Sequence, residues 1–380
     1  MKVLFVSNNI YVKGNGICTS AQVTAKYLRE AGVDVRFLTA ENFSPDGPQP
    51  EFRLKRMHFP IFQPLLEANC FTFAVRDAKI MKEAVAWADV IHIEEPFRLQ
   101  RETIKYAEEA GKPVVGTFHL FTQNILNEIP MASWGWTNKL YMKFWKRVYF
   151  DHCTDIQCPS LYVKQLLEEN KFKARLHFFS NGTRIQKEPV IANRLEGAPY
   201  MILSVGRLTK IKGHRTLLEA MEYSRHSKEI KLHIAGKGVL KEKLQKYGRE
   251  LVRKGVLEYE PAFEFHTHAE LRKLARNSYL YVHNARMEVE GLGCLEAIRE
   301  GTVPVIAKGE YIATSDFALD DRSTYPSKDA KALAERIDWW IEHPEERNRM
   351  AQKYADESRK YDIHNSVKAL IGMYNQALGK

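Results

Sequence analysis

The chain has 380 residues, which at about 150 residues per domain makes two domains. Its 57 Lys and Arg against 47 Asp and Glu give a net charge of +10, and with 44% hydrophobic and 27% charged residues it is neither disordered nor collagen-like. The five cysteines (Cys18, Cys70, Cys153, Cys158, Cys294) are odd in number and form no CxxC pair, which argues against a disulfide framework or a cysteine-based zinc site and for a reducing, cytoplasmic setting.

The opening MKVLFVSNN carries one Lys and a short apolar burst, so Lys2 to Ser7 reads as a first buried strand and not as a signal peptide. The loop NNIYVKGNGI follows, then a helix expected over Cys18 to Ala31 with Gly32 as its C-terminal cap. Val33 to Thr39, Val90 to Ile93 and Pro113 to Phe118 are further short strands, and this strand–helix alternation implies a parallel sheet covered on both faces. A junction with turn signals spans Asn181 to Pro199. The pattern then restarts: strand Tyr200 to Val205, loop GRLTKIKG, a helix from Thr216, strand Ile230 to Ala235 ending at AGKG, and strands Tyr279 to His283 and Val303 to Ala307. From about Asp329 the chain is rich in helix formers. No apolar run approaches the ~20 residues that span a bilayer.

Three local patterns can carry chemistry. Gly14-Asn15-Gly16 precedes a helix, where glycine lets backbone N–H groups approach a phosphate. It is equally an ordinary strand-to-helix turn, and a dinucleotide fingerprint is absent because Thr19 stands where the third glycine belongs. The loop Gly206 to Gly213 leaves a strand with Arg207, Lys210 and Lys212, either a diphosphate cradle or a solvated basic loop. In MEVEGLGCLEAIREGTVPVIA, Glu288 and Glu296 flank Gly291 and Gly293. Glu296 is expected to open a helix ending at Gly301, either to hold sugar or ribose hydroxyls or simply to favour the helix N-terminus. Asp320-Asp321 has no companions at ligand spacing and reads as a solvated turn.

Together these pieces resemble the family-4 retaining glycosyltransferases of the GT-B fold over nearly the whole chain. The resemblance rests on Gly14 and Gly16, on VVGTFH ending at His119, and on Ser180-Asn181-Gly182. It continues through Val205 to Gly213 and Ala235 to Gly238, then Glu288, Glu296, Ala297, Gly301, Pro304 and Val305. It implies an α/β fold of two doubly wound Rossmann-like domains facing across a cleft, with C-terminal helices. Residues 1–190 form the acceptor side, 191–360 the nucleotide-sugar donor side, and 361–380 a closing helix that packs back on the first domain. It further implies that Arg207 and Lys212 grip the donor's diphosphate as it leaves. Glu288 takes the donor sugar's hydroxyls, with backbone amides around Gly291 and Leu292, and Glu296 takes the ribose. His119 sits by the reacting sugar. Gly14, Gly16, Gly206 and Gly236 give the backbone close access to the donor. No cofactor, no metal and no protein nucleophile is called for, because side-chain cations stabilise the leaving group.

Within that family, EVEGLGCLEAI, the segment from Ile312 to Arg347 and TFHLFTQNI are similar to bacterial enzymes that glycosylate membrane lipids or lipid-linked saccharides, nearest to diacylglycerol glucosyltransferases. Glu290 stands where the wider family commonly has an aromatic, a departure that fits the glycolipid branch. The implied donor is UDP-glucose, with another donor such as GDP-mannose and a soluble acceptor as the alternative. An epimerase or phosphorylase-like reaction is the rival within the fold. Residues 134–150 put Leu140, Tyr141, Phe144, Trp145, Val148 and Tyr149 on one helical stripe and Lys139, Lys143, Lys146 and Arg147 opposite. Such a helix either lies on an anionic lipid surface, making the protein peripheral to the cytoplasmic membrane, or packs on the core. RLKRMHFPIF, residues 53–62, adds cations near aromatics. Basic charge alone gives only nonspecific attraction to nucleic acid, and no nucleic-acid-binding pattern is present.

Overall fold

A computed structural model of the chain describes residues 1–12, 14–60, 63, 71–122, 135–184 and 197–380. Several segments singled out above fall partly outside these residues: 61–62 of RLKRMHFPIF, Cys70, the end of TFHLFTQNI, residue 134, and 185–196 of the expected junction. The chain forms two compact units, Met1–Gly182 with Ile363–Lys380, and Thr183–Asp362.

The first unit holds β1 (Lys2–Val6), α1 (Gly16–Glu30), β2 (Asp34–Ala40), β3 (Phe52–Leu54), α2 (Ala78–Trp87), β4 (Val90–Ile93), α3 (Arg98–Glu109) and β5 (Val114–Thr117). It continues with α4 (Gly135–Val148), β6 (Asp155–Cys158), α5 (Leu161–Glu169) and β7 (Arg175–Phe178). The strands are all parallel, in the order β3-β2-β1-β4-β5-β6-β7. Val3, Leu4, Phe5 and Val6 are fully buried, as expected of a strand covered on both faces, which reads as a continuous apolar run instead of an alternating one. Helix α1 begins at Gly16, two residues before the expected start, because the Asn15 side chain accepts from Ile17 N (3.0 Å) and caps it there.

The second unit holds β8 (Tyr200–Val205), α6 (His214–Ala220), β9 (Ile230–Ala235), α7 (Lys241–Arg253), β10 (Ala262–Glu264), α8 (His268–Arg276) and β11 (Leu280–His283). After these come α9 (Leu292–Arg299), β12 (Val303–Lys308), β13 (Thr324–Pro326), α10 (Ala330–Glu342) and α11 (Pro344–Glu357). Its parallel order is β10-β9-β8-β11-β12-β13. Leu217, Leu218, Leu232, Val282 and Trp340 are fully or almost fully buried in its core. The last helix, α12 (Ile363–Ala377), belongs to the first unit, where Val367, Leu370, Met373 and Tyr374 join the core with Ala25 and Leu28.

Each sheet has a point where the strand order reverses. β1 lies between β2 and β4, and β8 between β9 and β11, so successive connections leave in opposite directions and part the loops at the C-terminal edge. Open α/β sheets bind ligands at such points. In the first unit they are formed by the residues after β1 and β4; in the second, by those after β8 and β11.

Candidate functional site

In the second unit the switch point is built from backbone first. Gly206 N donates to Ala235 O (3.0 Å), Leu208 N to Lys237 O (2.7 Å) and Leu240 N to Leu208 O (3.0 Å). A side chain at position 236 would run into the carbonyl of Gly206, so the two loops can lie backbone against backbone only with glycine there. The far end of the basic loop is tied to the residues after β11: Arg286 N donates to Ile211 O (2.7 Å) and Asn284 Nδ2 to Lys212 O (3.1 Å).

This frame brings Lys212 and Glu288 together. The Lys212 stem passes over Gly206, and its ammonium forms an ion pair with Glu288 Oε2. The same carboxylate oxygen lies 3.5 Å from His283 Nε2, which is 3.3 Å from Thr314 Oγ1. The Glu288 backbone is pinned on both sides, N donating to Tyr311 O (2.8 Å) and O accepting from Ala313 N (2.9 Å). Burial alone would raise the Glu288 carboxyl; the Lys212 ammonium and His283 outweigh it and hold the pKa at about 2. The pair is four-fifths buried but open to solvent on one side.

Gly291 takes a left-handed conformation (φ +98°), and a Cβ there would strike Thr314, so it must be glycine to turn the chain into α9. The helix's own hydrogen bonds begin at Cys294 N, which donates to Gly291 O (2.9 Å). The N–H groups of Leu292 and Gly293 therefore sit at the positive end of the helix, a place for an anion. One expectation is corrected here. Glu296 does not open this helix but stands five residues into it, because the Gly291 turn starts α9 at Leu292. Its side chain is 36% exposed and lies 4.0 Å from His268 Nδ1. Arg207 is half-buried on the loop that meets Gly236.

His119 belongs to the first unit. It follows β5 and bonds through Nε2 to Glu94 Oε2 (2.7 Å), the residue just beyond β4. Glu94 Oε1 is 3.7 Å from His92 Nε2, which bonds Thr117 Oγ1 (2.8 Å), while His92 Nδ1 bonds the Tyr374 hydroxyl of α12 (2.6 Å). Burial lowers the His92 pKa to about 4, against the pull of Glu94. For Glu94 burial pushes upward, but His92 and His119 together hold the carboxyl below its usual range. Glu95 beside it accepts from Asn8 N (2.9 Å) and Asn8 Nδ2 (3.0 Å), closing the loop after β1 onto the end of β4. Gly14 is left-handed (φ +87°), and nothing lies within 4 Å of where a Cβ at Gly16 would be.

Sequence reasoning did not select His92, Glu94, Tyr374, His283 or Thr314. The two acids of IHIEEP directly after a strand are a visible signal; the other partners come from distant segments. The basic helix is also corrected. Met142, Trp145 and Tyr149 of α4 and its end are buried, whereas Leu140 (60% exposed) and Phe144 (44%) stand outside with Lys139, Lys143 and Arg147. The i, i+3, i+7 spacing of the buried three sets the inner face, and Leu140 and Phe144 fall off it onto the basic side. Asp320 accepts from Arg322 N (2.8 Å) and Nε (2.6 Å), so that turn is closed by its own arginine. No helix among the described residues is long and apolar enough to cross a membrane.

Comparison with known proteins adds the family. Residues 14–187 match the model described as Glycosyltransferase Family 4, and residues 187–357 match Glycosyl transferases group 1. None of the curated proteins matches the chain. Among solved structures it is similar to a sucrose-phosphate synthase from Thermosynechococcus elongatus, at 14% identity over 100% of this chain and 99% of that one, with a TM-score of 0.73. It is similar to Alr3699/HepE of Anabaena in complex with UDP and glucose, at 15% identity over 98% of each chain and a TM-score of 0.67. It also matches the catalytic domain of a cholesterol-alpha-glucosyltransferase from Helicobacter pylori at 38% identity, over 43% of this chain and 99% of that one, with a TM-score of 0.40. The sucrose-phosphate synthase and Anabaena structures share the fold of two Rossmann-like halves.

Proposed function

The chain belongs to the GT-B glycosyltransferases, and from that premise we propose that it moves a hexose, glucose from UDP-glucose, onto a hydroxyl of a membrane lipid or lipid-linked saccharide with retention of anomeric configuration. The single observation that carries the reading is the Lys212–Glu288 pair at the switch point of the second unit. Two opposite charges, mostly removed from water yet open on one side, are each matched to one end of a sugar diphosphate. The incoming diphosphate takes the Lys212 ammonium, with Arg207 as the second cation, and Glu288 is released to accept from the sugar's hydroxyls. Charge grows on the diphosphate as the glycosidic bond breaks, so cations fixed there lower the barrier. The N–H groups of Leu292 and Gly293 add the positive end of α9, and Glu296 takes the ribose. The acceptor hydroxyl attacks from the face the diphosphate leaves, and the departing phosphate takes its proton. His119, its ring oriented by Glu94, attends the reacting sugar. In this reading no metal serves the diphosphate and no side chain becomes glycosylated.

The lipid acceptor is supported by the outer face of α4. Leu140 and Phe144 stand among Lys139, Lys143 and Arg147, the arrangement by which a helix rests on an anionic bilayer surface, which would place the protein peripherally on the cytoplasmic membrane. UDP as the nucleotide follows the resemblance in sequence; the similar Anabaena protein is described with UDP and glucose.

The experiment is a donor-by-acceptor screen with UDP-glucose, UDP-galactose and GDP-mannose against diacylglycerol, glycolipid and soluble sugars, with the anomeric configuration of the product read by NMR. An α-glucolipid made from UDP-glucose is the expected product. Transfer only from GDP-mannose, or only to soluble sugars, contradicts the donor or acceptor assignment respectively.

A further inference from the structure

On the edge of the second unit's sheet lies a cluster unused by the chemistry above. β10 is the edge strand, paired in register with β9 so that Ala262 faces His233 and Glu264 faces Ala235. Residues 262 and 264 point to one face of the pleat, as does His233 across from them. His266, two residues beyond Glu264, continues that row. As a result His233 Nε2 and His266 Nε2 face each other at 2.8 Å, and Glu264 Oε2 is 3.4 Å from His266 Nε2. His233 is buried, His266 nearly so, and Glu264 closes the group from the solvent side. The three donor atoms all lie within 4.8 Å of one another.

We propose that His233, His266 and Glu264 bind a divalent transition-metal ion, Zn²⁺ by preference. Two imidazoles and one carboxylate are a donor set that zinc takes tetrahedrally, leaving the fourth position to water. With Zn–N bonds of about 2.0–2.1 Å, tetrahedral ligand atoms sit about 3.3 Å apart. The carboxylate oxygen already has that spacing from His266, and the two rings need part by only about half an ångström to admit the ion. Glu270 Oε2, held at 2.7 Å by Thr267 N, lies 3.9 Å from His266 Nδ1, on the side where a ligating imidazole commonly finds an outer carboxylate.

The ion has a mechanical consequence. Glu264 O accepts from Gly236 N (2.7 Å), so the residue that ends β10 and supplies one ligand also holds the glycine loop that lies on Gly206. Metal at this edge clips β10 to β9 and steadies that loop.

The test uses the untagged full-length chain, stripped with a chelator and then titrated with Zn²⁺, so it is read without donor or acceptor and stands apart from the proposed reaction. One zinc per chain is expected, with a rise in melting temperature on loading. His233→Ala and His266→Ala each weaken binding by at least about 100-fold, beyond what loss of an outer-shell partner causes. Glu264→Gln weakens it less, and His58→Ala, at an exposed position of the other unit, leaves it unchanged. Should the alanine variants fail to fold, Co²⁺ added to the native chain decides: visible bands of a four-coordinate nitrogen–oxygen site support the proposal, and the spectrum of the hydrated ion overturns it. Absence of stoichiometric zinc, or full affinity in the doubly substituted chain, also overturns it and leaves two histidines joined by a ring-to-ring hydrogen bond.

Discussion

Glu288 in the second unit and Glu94 in the first both sit just beyond the C-terminal edge of a parallel sheet, beside the strand where the order reverses, and both are held ionised against burial. They differ in their partners. Glu288 is held by a lysine on a long flexible stem, a partner a stronger anion can take away. Glu94 is held by two imidazoles, one of them tied to Thr117 and Tyr374, a partnership with no loose end. The same place in the same topology can thus serve exchange or positioning. A carboxylate paired with a mobile cation is poised to trade it, whereas one enclosed by rings fixes a ring.

The comparison breaks most sharply at Lys212. Lys212→Ala removes the exchangeable cation, and turnover should fall by about 10²–10³-fold, the loss typical of one fixed group that stabilises transition-state charge. Melting temperature should fall, because Glu288 loses the cation that offsets its burial, and a single cooperative transition above the assay temperature separates lost turnover from misfolding. Next in size, replacing Lys139, Lys143 and Arg147 together by Gln should weaken binding to anionic vesicles by about 100-fold at low salt, at about 1 kcal/mol per cation. Affinity for UDP should be unchanged, so the first unit's basic face and the second unit's lysine can be damaged independently. Glu94→Gln keeps the shape but loosens the hold on His119, and kcat should drop by tens of fold, up to about 100-fold, as for a misplaced group. Its pH profile should shift while KM for the donor stays put, a split that a purely structural defect would not give.

The smallest effect concerns acid stability. The folded pKa of Glu288 is about 2, below its unfolded value, so its contribution is complete above the unfolded pKa and is lost as pH falls from about 4.5 through 2. Urea midpoints measured across that window should fall less steeply for Glu288→Gln than for the native chain. Parallel slopes would show that Lys212 and Glu288 are not coupled.

How legible each unit was in the sequence follows from the same contrast. The second unit's frame is made of short local patterns: Gly206 to Gly213, Gly236 to Gly238, and Glu288 to Gly293 each occupy one loop, and their order carried the family resemblance that implied a diphosphate site. The first unit's cluster joins His92 to Tyr374 across 282 positions, and no spacing rule reaches that far. Only the return of α12 to the first sheet brings them together. The short strands β3, β10 and β13 went unread because three residues such as FRL, AFE or TYP carry too little periodicity. The start of α9 was misjudged because a left-handed Gly291 can begin a helix without a side-chain cap. On α4 the aromatic stripe misled, since Met142 and not Phe144 faces inward.

If Lys212 leaves Glu288 for the diphosphate, calorimetric titration of UDP into the native chain and into Lys212→Ala will show it. A charge-assisted hydrogen bond of about 1.5–3 kcal/mol predicts that the variant binds UDP about ten- to a hundredfold more weakly. Equal affinity in the two proteins, both folded, would contradict it.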